Sequence, residues 1–448
     1  MPVMRHGASR WPRSTGCTDS RCRYTAIALD PSFALAHSRL GPPLALLGHR
    51  TEFLEALTKA YELRERTSLP ERLEIEARYH EGVTGDYDKT IEVLEGMRRA
   101  YPRSSYARLE LASTYAAVGR YDDALTEALA AFRLEPDGGP EHTALAQSYI
   151  HLNRFDEAKT IATAAIVKKV DSPMVHAILV DCALVAGDRA SMDRELAWAA
   201  SNANAEMLVL QFQVENAIYA GKLREVVSLL QRREAVAREQ GDQEEVASVR
   251  LTRAYFEALY GRRAAAVALV RDVLSRPTSS QNRLRAAIFL ALAGATAQAA
   301  TVVEQHEPET GLRADAWPDG RQIVLAIIEN EGGHPDRALE RLQPLVPREL
   351  GMVYGFLPVI IRGEAYLRAR NGAAAIAEFE KVFAHRGLDP SSEMIAVARL
   401  GIARGHRLTG NVAASRAAYQ TLLAQLHDAD PDLPLLLEAR REYAALPK

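Results

Sequence analysis

The chain has 448 residues, with 55 Lys plus Arg against 58 Asp plus Glu, for a net charge of −3. Hydrophobic residues make up 48% and charged residues 25%, which excludes a disordered chain, and the near balance of charge excludes a surface built to bind nucleic acid. With only 27 Gly and 21 Pro in an Ala-rich chain, helix is favoured, and the length fits either several globular domains or one long repeat array.

Residues 1–23 hold five Arg and Asp19, with Pro2, Gly7 and Pro12, and show no helical period. They read as a disordered or non-native N-terminal arm, and no apolar stretch in them resembles a secretory signal. Cys17 and Cys22, with His6 nearby, lack the paired spacing of a metal site. Together with Cys182 they make an odd count that builds no disulfide framework and fits a reducing, cytoplasmic setting. From Ala26 to Gly41, "AIALDPSFALAHSRLG" reads as the end of one helix, a turn at Pro31, and the start of the next. The helix that should precede Ala26 is missing from the pattern, so the array is expected to begin inside a longer one.

Residues 24–240 form a regular array. Leu111, Ala112, Tyr115, Gly119, Tyr121, Ala124 and Ala131 recur 34 positions later as Leu145, Ala146, Tyr149, Asn153, Phe155, Ala158 and Ala165. The turn position repeats at Gly85, Gly119, Asn153, Gly187 and Gly221, and Pro102 and Pro136 are also 34 apart. The physical reading is a helical hairpin. A residue that tolerates a left-handed backbone closes the first helix. A small residue, Ala124 or Ala158, lets the second helix approach. Pro102 or Pro136 ends it. Asp122 and Asp156 complement the positive end of the second helix.

Residues 241–427 continue as longer, divergent repeats, with turns expected at Gly261, Gly294, Gly333, Gly372 and Gly410. The stretch Val236 to Glu245 reads as a longer helix end and loop that absorbs extra residues. Ala286 to Val303 carries no formal charge, but Gly294 falls at a turn, so it reads as two short buried helices and no membrane insertion is expected. Residues 428–448 form a capping helix that starts at Pro434. Leu435, Leu436, Ala439 and Tyr443 would cover the last repeat, with Glu438, Arg440 and Arg441 towards water.

This pattern resembles the tetratricopeptide repeat, which implies an all-α, right-handed α–α superhelix of about eleven helix–turn–helix repeats. No phosphate loop, zinc-protease motif or nucleophile elbow is present. The nearest approach to a kinase catalytic loop, His385-Arg386-Gly387, lacks the Asp. No enzymatic activity, cofactor or metal is therefore expected, and His80, His142 and His151 read as surface or groove-lining residues.

What a stack of hairpins offers is a groove lined by first helices, in which a protein or peptide segment can lie. The register points Tyr79, Tyr106, Gln147, His151, Asp181, Gln211, Glu215 and Tyr219 into it. The positions that clamp a C-terminal carboxylate in chaperone-binding members hold Leu109, Ser113, Thr143 and Gln147, so no such clamp is expected. The segment Ala60 to Leu125, with "LRER" at Leu63–Arg66, "VTGD" at Val83–Asp86 and "YPR" at Tyr101–Arg103, is similar to the repeat region that follows the catalytic domain of bacterial eukaryotic-like serine/threonine kinases. The stretch Gly410 to Leu446 is similar to the end of that region. The kinase domain itself is absent. The resemblance thus implies either a non-enzymatic scaffold in signalling or a detached regulatory segment of a kinase or transcriptional regulator. A third possibility is a small ligand held in the concave channel.

Overall fold

The computed structural model describes residues 20–46, 50–201, 206–239, 241–305, 319–352 and 354–447. Residues 1–19 of the basic arm, with His6 and Cys17, lie outside the described residues, as does the side chain of Cys22, while the arm's last four residues open the first helix. Among the described residues the chain is all-α, with no strand. It divides into two compact units, one up to Val93 and the other from Leu94 onward.

The first unit contains α1 (Ser20–Leu29), α2 (Ala34–Leu46), α3 (Arg50–Leu63) and α4 (Leu69–Tyr79), then a π turn over His80–Thr84. The break between α1 and α2 falls at Pro31, where the sequence places it. Helix α4 opens with Ser68 and Glu71 capping each other's backbone. Helix α5 (Tyr87–Ala100) carries the boundary between the units.

The second unit runs through α6 (Ser105–Ala117), α7 (Tyr121–Leu134), α8 (Gly139–His151), α9 (Phe155–Lys168), α10 (Pro173–Ala186), α11 (Arg189–Ser201), α12 (Glu206–Tyr219) and α13 (Leu223–Glu239). It continues with α14 (Gln243–Leu259), α15 (Arg263–Leu274), α16 (Ser280–Leu292), α17 (Thr296–Glu304), α18 (Gly320–Glu331) and α19 (Pro335–Leu342). It ends with α20 (Leu357–Arg368), α21 (Gly372–Ala384), α22 (Met394–Leu408), α23 (Val412–Gln425) and α24 (Pro434–Ala444). Consecutive helices pair as hairpins, and first helices also touch first helices, as α6 does α8 and α14 does α16. Each hairpin thus covers the apolar side of the next, which is the construction of an α–α superhelix.

Local chemistry sets the hairpin. Gly119 has φ +82° and Asn153 +59°, so both are left-handed and end their helices without a further turn. Five residues past six of the turns lies a small side chain with almost no exposure, Ala124, Ala158, Ala266, Ala299, Ala338 or Ser415, whereas Gly187 and Gly221 are followed there by the partly buried Met192 and the buried Val226. Pro102 and Pro136 stand two residues beyond the ends of α5 and α7. Where the next proline would fall the chain has Val170, and Lys169 adopts a left-handed conformation at φ +58° to stop α9 instead.

One expectation needs correction. Gly372 is not the turn residue: it is the first residue of α21, and the left-handed position belongs to Arg370 at φ +57°. Counting five from Arg370 reaches the buried Ala375, so the repeat rule holds once the turn is moved. Gly372 is required for another reason, since a Cβ there would stand 2.6 Å from the Gly405 carbonyl oxygen. The extra residues near Val236 go, as expected, into a longer helix end and the turn that follows it. Helices α13 and α14 are 17 residues each, against 13 and 14 in α6 and α7. Only a short turn with Gly241 at φ +74° separates them.

The uncharged stretch is two helices, α16 and α17, broken at the left-handed Gly294. Ala286, Ala287, Ile288, Leu290 and Ala291 are fully enclosed, which explains why the segment lacks charge. Among the described residues no helix is long and apolar enough to cross a membrane. Leu435, Leu436 and Ala439 of α24 are buried on the last hairpin, and Arg440 and Arg441 are exposed. Glu438 departs from expectation: it is half-buried and pairs with Arg404 at 2.9 Å.

The second unit also closes on itself. The Tyr121 hydroxyl donates to the carbonyl of Leu350. Asn153 donates to the Ala384 carbonyl at 2.6 Å and accepts from the Gly387 amide at 2.6 Å. Further along, Gln425 donates to the Tyr219 carbonyl at 3.0 Å, and the Asp430 carboxylate accepts from the Arg224 amide at 2.8 Å. Each contact joins residues more than 200 positions apart in the chain. Turns of early hairpins therefore rest on connecting loops of late ones.

Candidate partner-binding groove

Helix α12 supplies the core of the candidate site. Gln211 and Glu215 are one turn apart on it, and the Gln211 amide donates to the Glu215 carboxylate at 2.8 Å. Both line a cavity of about 240 Å³ whose apolar wall is Leu210, Val214, Leu230 and Phe256. Arg233 and Thr252 complete it, from α13 and α14. Arg233 is held there by Glu245 at 2.7 Å. Burial pushes the Glu215 carboxyl up to about 7, against the opposing hydrogen bond from Gln211.

Tyr219 lies one turn further along α12. Its hydroxyl accepts from Arg386 at 3.4 Å, and Arg386 belongs to the loop before α22. In that loop Asp389 and Glu393 face Glu215 and Asp181 electrostatically. Burial and the neighbouring carboxylates raise Asp389 to about 8, while Ser391 and Ser392 work in the opposite direction through hydrogen bonds. Asp181 is also raised, by burial first and then by Glu215 and Asp389. Tyr255 of α14 donates to Glu393 at 2.5 Å. Four carboxylates from α10, α12 and the loop into α22 thus form one electrostatic cluster.

The remaining sequence-selected residues are placed elsewhere. Gln147 and Tyr106 are half-buried on α8 and α6. His151, at the end of α8, is only 6% exposed, with its ring centroid 5.3 Å from that of Tyr121. Burial takes it down to about 4, so it is neutral at physiological pH. His142 is likewise buried, against Phe132, with Nδ1 2.7 Å from the Gly138 carbonyl. Neither imidazole is a surface residue, because the self-closure and the hairpin core cover them. Tyr79 belongs to the first unit, where it stacks on Tyr61 at 3.9 Å and Arg64 lies over the Tyr61 ring at 3.8 Å.

Position in the repeat identifies the α12 residues. It also reaches Tyr255, which stands six residues before the Gly261 turn as Glu215 does before Gly221, but it cannot identify Arg386, Asp389 or Glu393, because they meet the α12 face only through the return of the chain. Their sole local signal is two carboxylates one helical turn apart, beside two serines. Among the described residues no group of three or more His, Cys, Asp or Glu is arranged to hold a metal ion. Cys182 is buried, donates to the Phe155 carbonyl at 3.4 Å, and burial pushes its thiol up to about 12, which makes it unreactive.

Residues 84–145 match the family model described as tetratricopeptide repeat. The match runs from the turn at Gly85 through α5, α6 and α7 and into α8. Among solved structures, the chain is similar to yeast Tom70 at 13% identity, covering 93% of this chain and 96% of that one, with a TM-score of 0.33. It is similar to the Cut9–Hcn1 hetero-tetramer of APC/C at 12% identity, covering 95% and 86%, with a TM-score of 0.40. A tetratricopeptide repeat protein from Parabacteroides merdae gives 12% identity, 75% and 98% coverage, and a TM-score of 0.31. No curated protein matches the chain. Likeness at 12–13% identity says nothing of what the chain binds.

Proposed function

We infer that the chain is a non-enzymatic scaffold of the tetratricopeptide type, acting in the cytoplasm, that holds a protein or peptide segment in the groove lined by α12. The observation that supports this reading most is the α12 cavity. Gln211 and Glu215 offer polar contacts above an apolar wall of Leu210, Val214 and Phe256. That combination suits a peptide side chain, which needs an apolar seat and a few placed hydrogen bonds. Tyr219 extends the surface along the same helix, and Asp181 and the loop carboxylates give it an acidic end. Tyr106 and Gln147, half-buried on α6 and α8, belong to the same reading with a lesser role; His151 is covered, and Tyr79 lies in the first unit.

The likeness of Ala60 to Leu125 to kinase-associated repeats supports a signalling context, as scaffold or as the regulatory segment of a larger protein. The experiment is affinity capture from the source cells with the wild type and with a Gln211→Ala/Tyr219→Ala double variant. The variant should keep its far-UV circular dichroism spectrum and lose the captured partner. Equal capture by both proteins removes the α12 groove from the interaction.

A further inference from the structure

A second cavity, of about 300 Å³, lies among the later hairpins of the second unit, apart from the α12 groove. Its walls include Leu259, Ile327, Ile360 and Leu400, from four first helices, α14, α18, α20 and α22. Helices α14, α16, α18 and α20 all end beside it, so the partial negative charge of four helix C-termini points towards it.

The polar groups in the lining are unevenly satisfied. Arg368 is paired with Glu331. Arg404 is shared by Glu442 at 2.8 Å and Glu438 at 2.9 Å. Two carboxylates thus already occupy one guanidinium. Glu364 on α20 forms no ion pair among the described residues; Arg404 and Arg368 act on it through space to lower its carboxyl, and Glu331 and Glu438 to raise it. Burial dominates and raises its carboxyl above the ordinary value. Asn330 of α18 is only 5% exposed, and its Oδ1 has no hydrogen-bond partner. A buried amide oxygen left without a donor is unfavourable, so a group that supplies one is favoured there. The remaining cation, Arg263, is exposed at the rim with its guanidinium near Gly294.

We propose that this cavity binds a primary ammonium group on a short apolar stem, with the Glu364 carboxylate and the Asn330 amide oxygen receiving the ammonium and Ile327, Ile360 and Leu400 enclosing the stem. The site wants both features. A purely apolar ligand leaves Glu364 and Asn330 unanswered, and an anion faces four helix C-termini and an unpaired carboxylate. The volume suits a chain of a few carbons rather than a folded segment. A free alkylamine and a lysine side chain share this chemistry.

Calorimetric titration of the full chain with n-pentylamine, pentan-1-ol and pentanoate at neutral pH tests it. The amine should bind, and the alcohol and acid should not. Glu364→Gln should weaken the amine by about tenfold or more, and Asn330→Ala by a smaller factor, both with wild-type circular dichroism. The charge selectivity of the wild type stands as a test even if a variant fails to fold. No binding of the amine, equal binding of the alcohol, or undiminished binding by a folded Glu364→Gln overturns the proposal. Once the amine binds, titration with Nα-acetyl-lysine methylamide separates the sources. Binding tighter than pentylamine assigns the site to a lysine side chain, and weaker binding assigns it to a free amine.

Discussion

The turn at Gly119 and the turn at Arg370 solve one steric problem under different surroundings. Both residues are left-handed, at φ +82° and +57°, and both stand five positions before a fully buried alanine. Gly119 is covered: the backbone of Gly351, from a loop more than 200 residues away in sequence, lies 3.4 Å from where its Cβ would be. Arg370 is exposed. A long side chain is tolerated at the open turn, at the cost of backbone strain, and excluded at the covered one. What the two share is the small residue in the second helix, so that residue, and not the glycine, is the element common to these two hairpins.

The strongest way to break this equivalence is Ala124→Arg beside Ala375→Arg. Each forces a long charged side chain into a fully buried contact between helices. Overpacking costs about 1–3 kcal/mol and an unpaired buried charge adds to it, so each variant should lose several kcal/mol by chemical denaturation. The two losses should be similar. If Ala375→Arg melts like wild type while Ala124→Arg does not, the late hairpin is not built on the early one's rule.

A second test separates hairpin from closure. Gly351→Ala places a Cβ 2.4 Å from the Ala117 carbonyl oxygen, on the loop that covers the Gly119 turn. Relieving that clash should cost about 1–3 kcal/mol. Hydrogen exchange should quicken around α6 and α7 and leave the amides beside the open Arg370 turn unchanged. Uniform quickening would mean that the closure is not a separate layer of structure.

The closure also has a pH signature. Asp389 at about 8 and Glu215 at about 7 are both raised. The folded state therefore holds protons that the unfolded chain releases near pH 4. This contribution is fully present below that pH and is lost progressively as pH rises towards 8. Thermal unfolding followed from pH 5 to 8.5 should show a declining midpoint, and Asp389→Asn should flatten the decline and melt higher than wild type at pH 8. An unchanged slope in the variant removes the carboxylates as its cause.

The hairpins were legible because their causes are local. A left-handed turn, a small residue five places on and a proline two places past a helix are all choices made within one repeat. That Gln211, Glu215 and Tyr219 lie on one helix was legible for the same reason. The burial of His151 and the company of Asp389 and Glu393 were not, since they depend on how small rotations between neighbouring hairpins add up over half the chain. No local spacing records that sum. Gly372 misled in an instructive way: glycine marks a left-handed turn only where nothing else demands it, and here the close approach of the Gly405 carbonyl does.

The smallest expected effect bears most directly on the comparison. Arg370 carries a Cβ in a conformation that costs an L-residue about 1–2 kcal/mol, and glycine adopts it freely. Arg370→Gly removes that strain, but the glycine loses more backbone freedom on folding, by about 0.5–1 kcal/mol. The net should be a gain of up to about 1 kcal/mol, read as a slightly higher denaturation midpoint with unchanged slope. The mirror change, Gly119→Ala, should lose about as much, because its Cβ meets Gly351 at ordinary contact distance and only the backbone conformation resists it. Opposite signs of similar size would show that the same left-handed turn operates at both ends of the array. A loss at both positions would mean that the Arg370 side chain has a stabilising contact of its own, and the two turns would then differ in kind.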